Sequence, residues 1–342
     1  MAASAPDPVL PVDSAPHRSA AVDGVRGWAA AMVFWAHAVG FHAWGGSGVW
    51  LFFMLSGFLL FRPFVDRAYR FTGRELAGYA VRRLLRIWPL LCVALPVYAW
   101  WVPAFGGWGR VLPHLALVEA DMHFWTVKQE LLFYAVLPLF VVACRRSGRY
   151  ALPALAALAV VSYFVFDHLQ LVQIPWQGIG LKFRVVPFVI GMAIAVGIAR
   201  VPAAVGRWLL WAGLLGLGFA SSSAVAWAWG GDPGFFEWER PYLLWPFAAA
   251  FLVGAVTAPR WIVANPLARG IGVLGYGIYV WHFGVILVLK SHGVDSAWTL
   301  VAAAGSVTLV LAAASWRWIE RPAIRWGQRL SRRIARADPT PH

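Results

Sequence analysis

Apolar runs of roughly span length succeed one another along the 342-residue chain, each closed by arginine, glycine or proline. They lack the strict alternation of half-buried strands. In lipid only helices and closed barrels satisfy their own backbone polar groups, so the runs predict spanning helices. Ten are expected, at about 25–41, 44–61, 84–102, 126–144, 151–167, 184–199, 207–228, 242–258, 271–289 and 297–316. The second, fifth and sixth are short against the roughly twenty residues that cross a bilayer. The second is also glycine-rich at its start, which suits a tilted or partly re-entrant segment.

Composition agrees with the pattern. Hydrophobic residues make up 61% of the chain and charged residues 13%, with a mean hydropathy of +0.66. That balance excludes an ordinary soluble domain and predicts an all-α integral membrane protein built as one polytopic bundle. Several of the 22 tryptophans stand where apolar runs end, at headgroup level. Cys92 and Cys144 have neither a metal-ligand neighbour nor a disulfide pattern.

The formal charge of +14 would suit a nucleic-acid partner, but its distribution points to the bilayer. With the amino terminus inside, 23 of the 29 basic residues fall on the same side as the termini. The other six are Arg110, Lys128, Lys182, Arg184, Arg240 and Lys290. Every connection then obeys the positive-inside rule, which predicts cytoplasmic termini and charge set against anionic headgroups. A plasma (inner) membrane location is expected, with no nucleic-acid partner. Residues 1–21 lack an apolar core and read as a disordered cytoplasmic leader rather than a secretory signal. Residues 22–325 form the transmembrane unit, and 326–342 a basic cytoplasmic tail, expected to be a surface helix.

Candidate chemistry lies at a few polar positions. Arg26 and His37 are eleven residues apart, about 1100° of helical rotation and about 16 Å of rise. Both therefore face one side, the arginine near a membrane surface and the histidine deeper. An ionisable group within an apolar span is a functional candidate; the alternative is a histidine bonded to a neighbouring helix. Arg62 to Arg86 reads as an interfacial element leading to Arg82, Arg83 and Arg86. These serve either as topology signals or as a phosphate clamp, since a guanidinium grips phosphate oxygens as a planar fork. Glu130, after Lys128, begins an apolar helix, where capping is the alternative to chemistry. Tyr276, Tyr279 and His282 drift along one helical side and could equally be a packed polar seam. The outer segment 103–123 holds His114, Glu119, Asp121 and His123, whose spacing fits no metal-ligand pattern, so no metal is expected. Lys182 and Arg184 enter the sixth run from outside, within reach of a polar substrate. Spans 151–228 read as scaffold rich in small residues, and the loop 230–240 as a turn with an acidic rim.

Six stretches, in order, carry a resemblance. They are Asp23-Gly24-Val25-Arg26-Gly27 with Leu51-Phe52-Phe53-Met54-Leu55-Ser56-Gly57-Phe58, then Arg82-Arg83-Leu84-Leu85-Arg86-Ile87-Trp88-Pro89, then Trp125 to Tyr134, then Gly275 to His282, and last Glu320-Arg321-Pro322. Together they resemble the membrane-bound acyltransferase 3 family from about Val22 to Arg325. The resemblance implies transfer of an acyl group, usually acetyl, from cytoplasmic acyl-coenzyme A to a hydroxyl of a glycan, glycolipid or antibiotic. It implies catalytic His37, Glu130 and Arg26, and substrate-binding Trp125, Tyr276, Tyr279 and His282. The chain departs from the family at four places. Trp50 stands where an acidic residue is usual, Thr126 replaces a serine, Lys128 takes a small-residue position, and Gly284 replaces a proline.

On this reading His37 deprotonates the acceptor hydroxyl, Glu130 orients the imidazole, and Arg82, Arg83 and Arg86 hold the phosphates of the donor. Transfer through an acyl-histidine is the minority route. The rivals are a transporter or flippase of an anionic glycolipid, using the same arginines, and a non-catalytic scaffold.

Overall fold

The computed structural model describes residues 16–40, 42–66, 72–168, 173–174, 181–182, 184–222, 228 and 241–336. Most of the expected leader, the loop at 230–240, Arg67, Arg70 and the last residues of the tail lie outside them. The described chain is helical apart from one antiparallel pair of two-residue strands, Gln173–Ile174 with Leu181–Lys182. Fourteen α-helices follow in order among the described residues. They are α1 Pro16–Val39, α2 His42–Val65, α3 Gly73–Trp101, α4 Val111–Leu115, α5 Trp125–Ser147, α6 Ala151–Ser162, α7 Val186–Gly197, α8 Ala203–Ala220, α9 Trp245–Thr257, α10 Trp261–Ala264, α11 Pro266–Val273, α12 Gly275–Ser291, α13 Ala297–Ser315 and α14 Arg321–Arg336.

Five helical stretches among these residues are long and apolar enough to cross a membrane: Trp44–Val65, Gly73–Trp101, Met122–Val165, Ala203–Ala220 and Ala297–Ala335. A sixth arises if α11 and α12, bent by 75°, count as one span. The chain is therefore a multi-pass membrane protein, and helix length alone yields fewer than ten separate crossings. The physical reasons differ by element. Helix α1 carries Asp23 and Arg26 within its apolar run, while α7 and α9, with 12 and 13 residues, are short of about twenty. The stretches expected at 126–144 and 151–167 fall in one helical run, interrupted at Gly148, whose φ is +51°.

The start of α1 changes the placement of two key residues. The helix begins at Pro16, nine residues before the expected start, with proline at a first-turn position where its missing N–H costs nothing. Arg26 therefore sits mid-helix, with roughly three turns of α1 before it, and His37 lies in the last turn.

Close helix contacts rest on glycines. A Cβ at Gly24 would run into the carbonyl of Val263, and one at Gly27 into that of Ala268, so the Asp-Gly-x-Arg-Gly stretch is the flat face on which α10 and α11 dock. Gly57 and Gly191 do the same for α2 and α7, each meeting the other helix's backbone. In the core Phe188 stacks on Phe53 at 4.5 Å and on Phe133 at 4.2 Å. Trp50 is fully buried beside Phe53 and Trp245. The Arg184 guanidinium lies 5.7 Å over its ring, so a π face meets a cation where the family usually has a carboxylate. After a π-helical turn at Trp316–Glu320, α14 packs on α3 through Gly327 and Ser331 and turns most of its arginines outward.

Candidate active site

A cavity of about 140 Å³ opens between α1, α2, α3, α5 and α12. On α2 it is lined from Val49 to Leu60, a rise of about 16 Å. Cationic side chains gather toward one end: Arg26, Arg83 and Arg86, with Tyr134 and Tyr276. The other end is closed by Phe52, Thr126 and Tyr279, with Ser56 and Glu130 between.

Each arginine is held differently. Arg26 donates from Nη1 to Asp23 Oδ1 at 2.8 Å, i to i−3 on its own helix, and lies against Gly275, where any Cβ would crowd its aliphatic stem. Arg86 pairs with the fully buried Glu320 at 3.5 Å and lies over the rings of Tyr276 and Trp316. Arg83 lies over Tyr79 and Tyr134, and its Nε is buried with no partner among the described residues. A buried guanidinium N–H left in that state is costly, so this cavity wall favours an anion. Arg82 points elsewhere: it donates to Ser331 of α14 and does not line the cavity. Of the three arginines expected together, Arg83 and Arg86 line the cavity with Arg26, while Arg82 links α3 to α14. Arg82 and Arg83 stand about 100° apart on the helix with Arg86 between them, and α14 takes the side that Arg82 presents.

Glu130 does not meet His37. Its Oε1 accepts from Ser56 Oγ at 2.9 Å and from the Tyr134 hydroxyl one turn along α5. It thereby fixes the cavity's middle, among the arginines, and the expected pairing with the imidazole is replaced by another.

That partner is His282. His37 Nδ1 and His282 Nε2 are 2.9 Å apart, and His282 Nδ1 donates to the carbonyls of Tyr279 at 2.7 Å and Ile278 at 3.1 Å. A third histidine, His123, joins them, its ring 5.3 Å from that of His282. Its Nε2 donates to Val280 O at 3.1 Å, and its Nδ1 is buried without a partner among the described residues. Tyr279 partitions the two regions. It lines the cavity, contacts both His123 and His282, accepts from Thr126 Oγ1 at 2.6 Å and donates to His123 O at 2.8 Å. Arg26 and His37 do share a helix face, since both lie against α12.

The backbone of α12 is contacted by a side chain of α3 at this level. The Tyr98 hydroxyl donates to Val280 O at 2.7 Å and accepts from Gly284 N at 2.8 Å. In a regular α-helix that carbonyl and that N–H are partners of each other. Val280 O is shared between the Tyr98 hydroxyl and His123 Nε2, and a Cβ at Gly284 would meet Tyr98 Cζ at 2.6 Å. A proline at 284 would lack the N–H that here donates to Tyr98, whereas glycine keeps it and leaves room for the ring.

Of the other expected site residues, Tyr276 lines the cavity and donates to Ile87 O at 2.9 Å. Trp125 is buried edge-on against Phe53 and does not line it; its neighbour Thr126 does. The Arg184 guanidinium lies over Trp50 and its backbone N–H donates to Gln129; the Lys182 side chain lies outside the described residues. The sequence reading missed His123, Tyr98, Tyr134 and Glu320 as parts of the site. His123 was visible only as one polar group in an outer segment, and Glu320 only as part of a short motif.

The outer segment resolves into a self-contained ion network. Ligand-type atoms of His114, Glu119 and Asp121 lie within 4.8 Å of one another, but Arg110 pairs with both carboxylates. His114 Nδ1 is bonded to Arg110 O and its Nε2 accepts from the Asp121 N–H. Burial lowers the His114 pKa, so a neutral ring fits between a donor and an acceptor.

Comparison with known proteins bears on this arrangement. A family model described as "Acyltransferase domain" matches residues 19–317. "Nodulation protein 10" of Rhizobium leguminosarum bv. viciae is 25% identical, over 81% of this chain and 82% of its own length. "Putative peptidoglycan O-acetyltransferase YrhL" of Bacillus subtilis (strain 168) is also 25% identical, over 92% of this chain. The chain spans only 56% of the length of that second protein. No solved structure matches.

Proposed function

Because the chain belongs to the acyltransferase 3 family and is a membrane acyltransferase, we propose that it moves an acetyl group from acetyl-coenzyme A to a hydroxyl of a sugar-containing acceptor. The observation that carries this reading is the two-ended site, with arginines at one end and paired histidines beyond the other. An acyl-coenzyme A has matching ends, an anionic nucleotide and a neutral thioester joined by a long arm. The buried, unpartnered Nε of Arg83 supports a phosphate at the arginine end. Arg86, steadied by Glu320, and Arg26, steadied by Asp23, add charge there. The thioester then lies toward Tyr279, the ring that stands between the cavity and the histidines, and His37 takes the proton of the acceptor hydroxyl as it attacks. The relative named for peptidoglycan O-acetylation supports a sugar hydroxyl as acceptor.

The transport reading gives way to the family assignment, and His37 and His282 placed beyond the arginines suit chemistry better than passage. In the full assembly, α1, α7, α9 and the neighbouring runs complete ten crossings of the plasma (inner) membrane with both termini cytoplasmic. The arginine-rich connections support that orientation.

The test uses purified protein in nanodiscs with acetyl-coenzyme A and a panel of glycan, glycolipid and macrolide acceptors. Wild type should release coenzyme A thiol only with an acceptor, whose mass rises by one acetyl group. His37→Ala should lose about 10²–10⁴-fold in rate, and Arg83→Gln should raise the donor KM with kcat nearly kept. Full activity in His37→Ala, or no thiol release with any acceptor, would overturn the reading.

A further inference from the structure

We propose that His282 is the positioning residue that holds His37 as its Nδ1–H tautomer, so that Nε2 is the nitrogen that takes the acceptor's proton. The inference deepens the acyl-transfer reading and rests on it for the identity of the proton. The tautomer itself follows from geometry. His282 Nδ1 faces two backbone carbonyls, Tyr279 O at 2.7 Å and Ile278 O at 3.1 Å. A carbonyl oxygen only accepts, so His282 Nδ1 carries a hydrogen. In the neutral ring, Nε2 then holds the lone pair, and it lies 2.9 Å from His37 Nδ1. His37 must donate across that contact. Its own Nδ1 therefore carries the hydrogen and its Nε2 the lone pair.

The order of donors runs one way, from His37 to His282 to the backbone of α12. A backbone carbonyl is a fixed anchor, because its position is set by the helix and it cannot take up a proton. The surroundings lock the ring of His282 further. It is 1% exposed, and His123, Tyr279, Phe283 and His37 all lie against it. Tyr98, bonded to both Val280 and Gly284, fixes the same stretch of backbone. The role is one that the sequence suggested for Glu130, but Glu130 is committed to Ser56 and Tyr134.

In the transfer step the acceptor O–H bond breaks and its proton passes to His37 Nε2. The acceptor oxygen bonds to the thioester carbonyl carbon, the carbon–sulfur bond breaks, and the thiolate leaves with the proton returned by His37. While His37 carries both hydrogens, its Nδ1–H still points at the lone pair of His282, so the transient imidazolium is stabilised without a carboxylate.

The experiment combines spectroscopy and kinetics on the full chain in nanodiscs. In protein carrying nitrogen-15 histidine, the His37 signals are assigned by their loss in His37→Gln. Wild type should show His37 protonated at Nδ1 and pyridine-like at Nε2. His282→Phe keeps a ring but has no lone pair, so the two tautomers of His37 should mix. The kcat of this variant should fall by about 10²-fold or more, with the donor KM unchanged because the arginines are untouched. His282→Gln, whose carbonyl oxygen can stand in for Nε2, should recover part of the tautomer preference and part of kcat. A wild-type His37 protonated at Nε2 would overturn the proposal, even if both His282 variants failed to fold. So would a His282→Phe variant with wild-type kcat, or a His282→Gln variant no better than His282→Phe. A His37 locked as described, in a protein that releases no thiol with any acceptor, would support the positioning role and sink the acyl-transfer reading alone.

Discussion

Glu130 shows how a residue can be central to a site and still not touch the group expected to need it. Its carboxylate accepts from Ser56 and Tyr134 and stands among Arg26, Arg83 and Arg86. Its contribution therefore belongs to the charge balance and shape of the cavity, while His37 depends on His282. Residues that act as one unit lose activity once, whereas separate contributions add in free energy. Glu130→Gln should accordingly alter the donor KM, His37→Ala should alter kcat, and the kcat/KM loss in the double variant should equal the product of the single losses. Thiol-release kinetics on the four proteins measure this. Equal losses in all three variants would place Glu130 and His37 in one unit after all.

At the level of elements, α12 supplies Tyr276 and Tyr279 to the cavity and His282 to His37, so its exact shape matters more than its stability. That shape depends on the Tyr98 hydroxyl bonded to both Val280 and Gly284. Gly284→Ala would press a methyl group against Tyr98 Cζ at 2.6 Å. It should cost about 1–3 kcal/mol of stability, read as a lower Tm in detergent. Tyr98→Phe removes the hydroxyl, and with it the bonds to Val280 O and Gly284 N, without crowding. It should therefore lower kcat more than Tm, because the backbone that carries His282 and accepts from His123 would lose its anchor on α3. A Gly284→Ala protein as stable as wild type would show that the contact is not tight.

For the molecule as a whole, orientation decides which solution each end of the site meets. If the termini are cytoplasmic, the arginine end of the cavity faces the compartment that makes acyl-coenzyme A, and the histidines lie toward the opposite face. With native Cys92 and Cys144 replaced, a cysteine at Trp108 should react with a membrane-impermeant maleimide in intact cells. One at Arg329, exposed on α14, should react only after permeabilisation. The reverse pattern would invert the protein and bring the acceptor side to the cytoplasm.

Some of this was fixed by the sequence alone. Long apolar runs without strand alternation predict helices in lipid, because that rule depends on composition along the chain rather than on which helices meet. The eleven-residue spacing likewise put Arg26 and His37 on one face, since helical geometry is local. Which side chains pair was decided only by tertiary structure. His37 and His282 are 245 positions apart, Arg86 and Glu320 are 234 apart, and no local spacing reports such distances. The glycines at 24 and 27 looked like motif letters until α10 and α11 were seen docked on them. Arg82 and Arg83, adjacent and chemically identical, received different work because α14 covers one side of α3 and the cavity opens on the other.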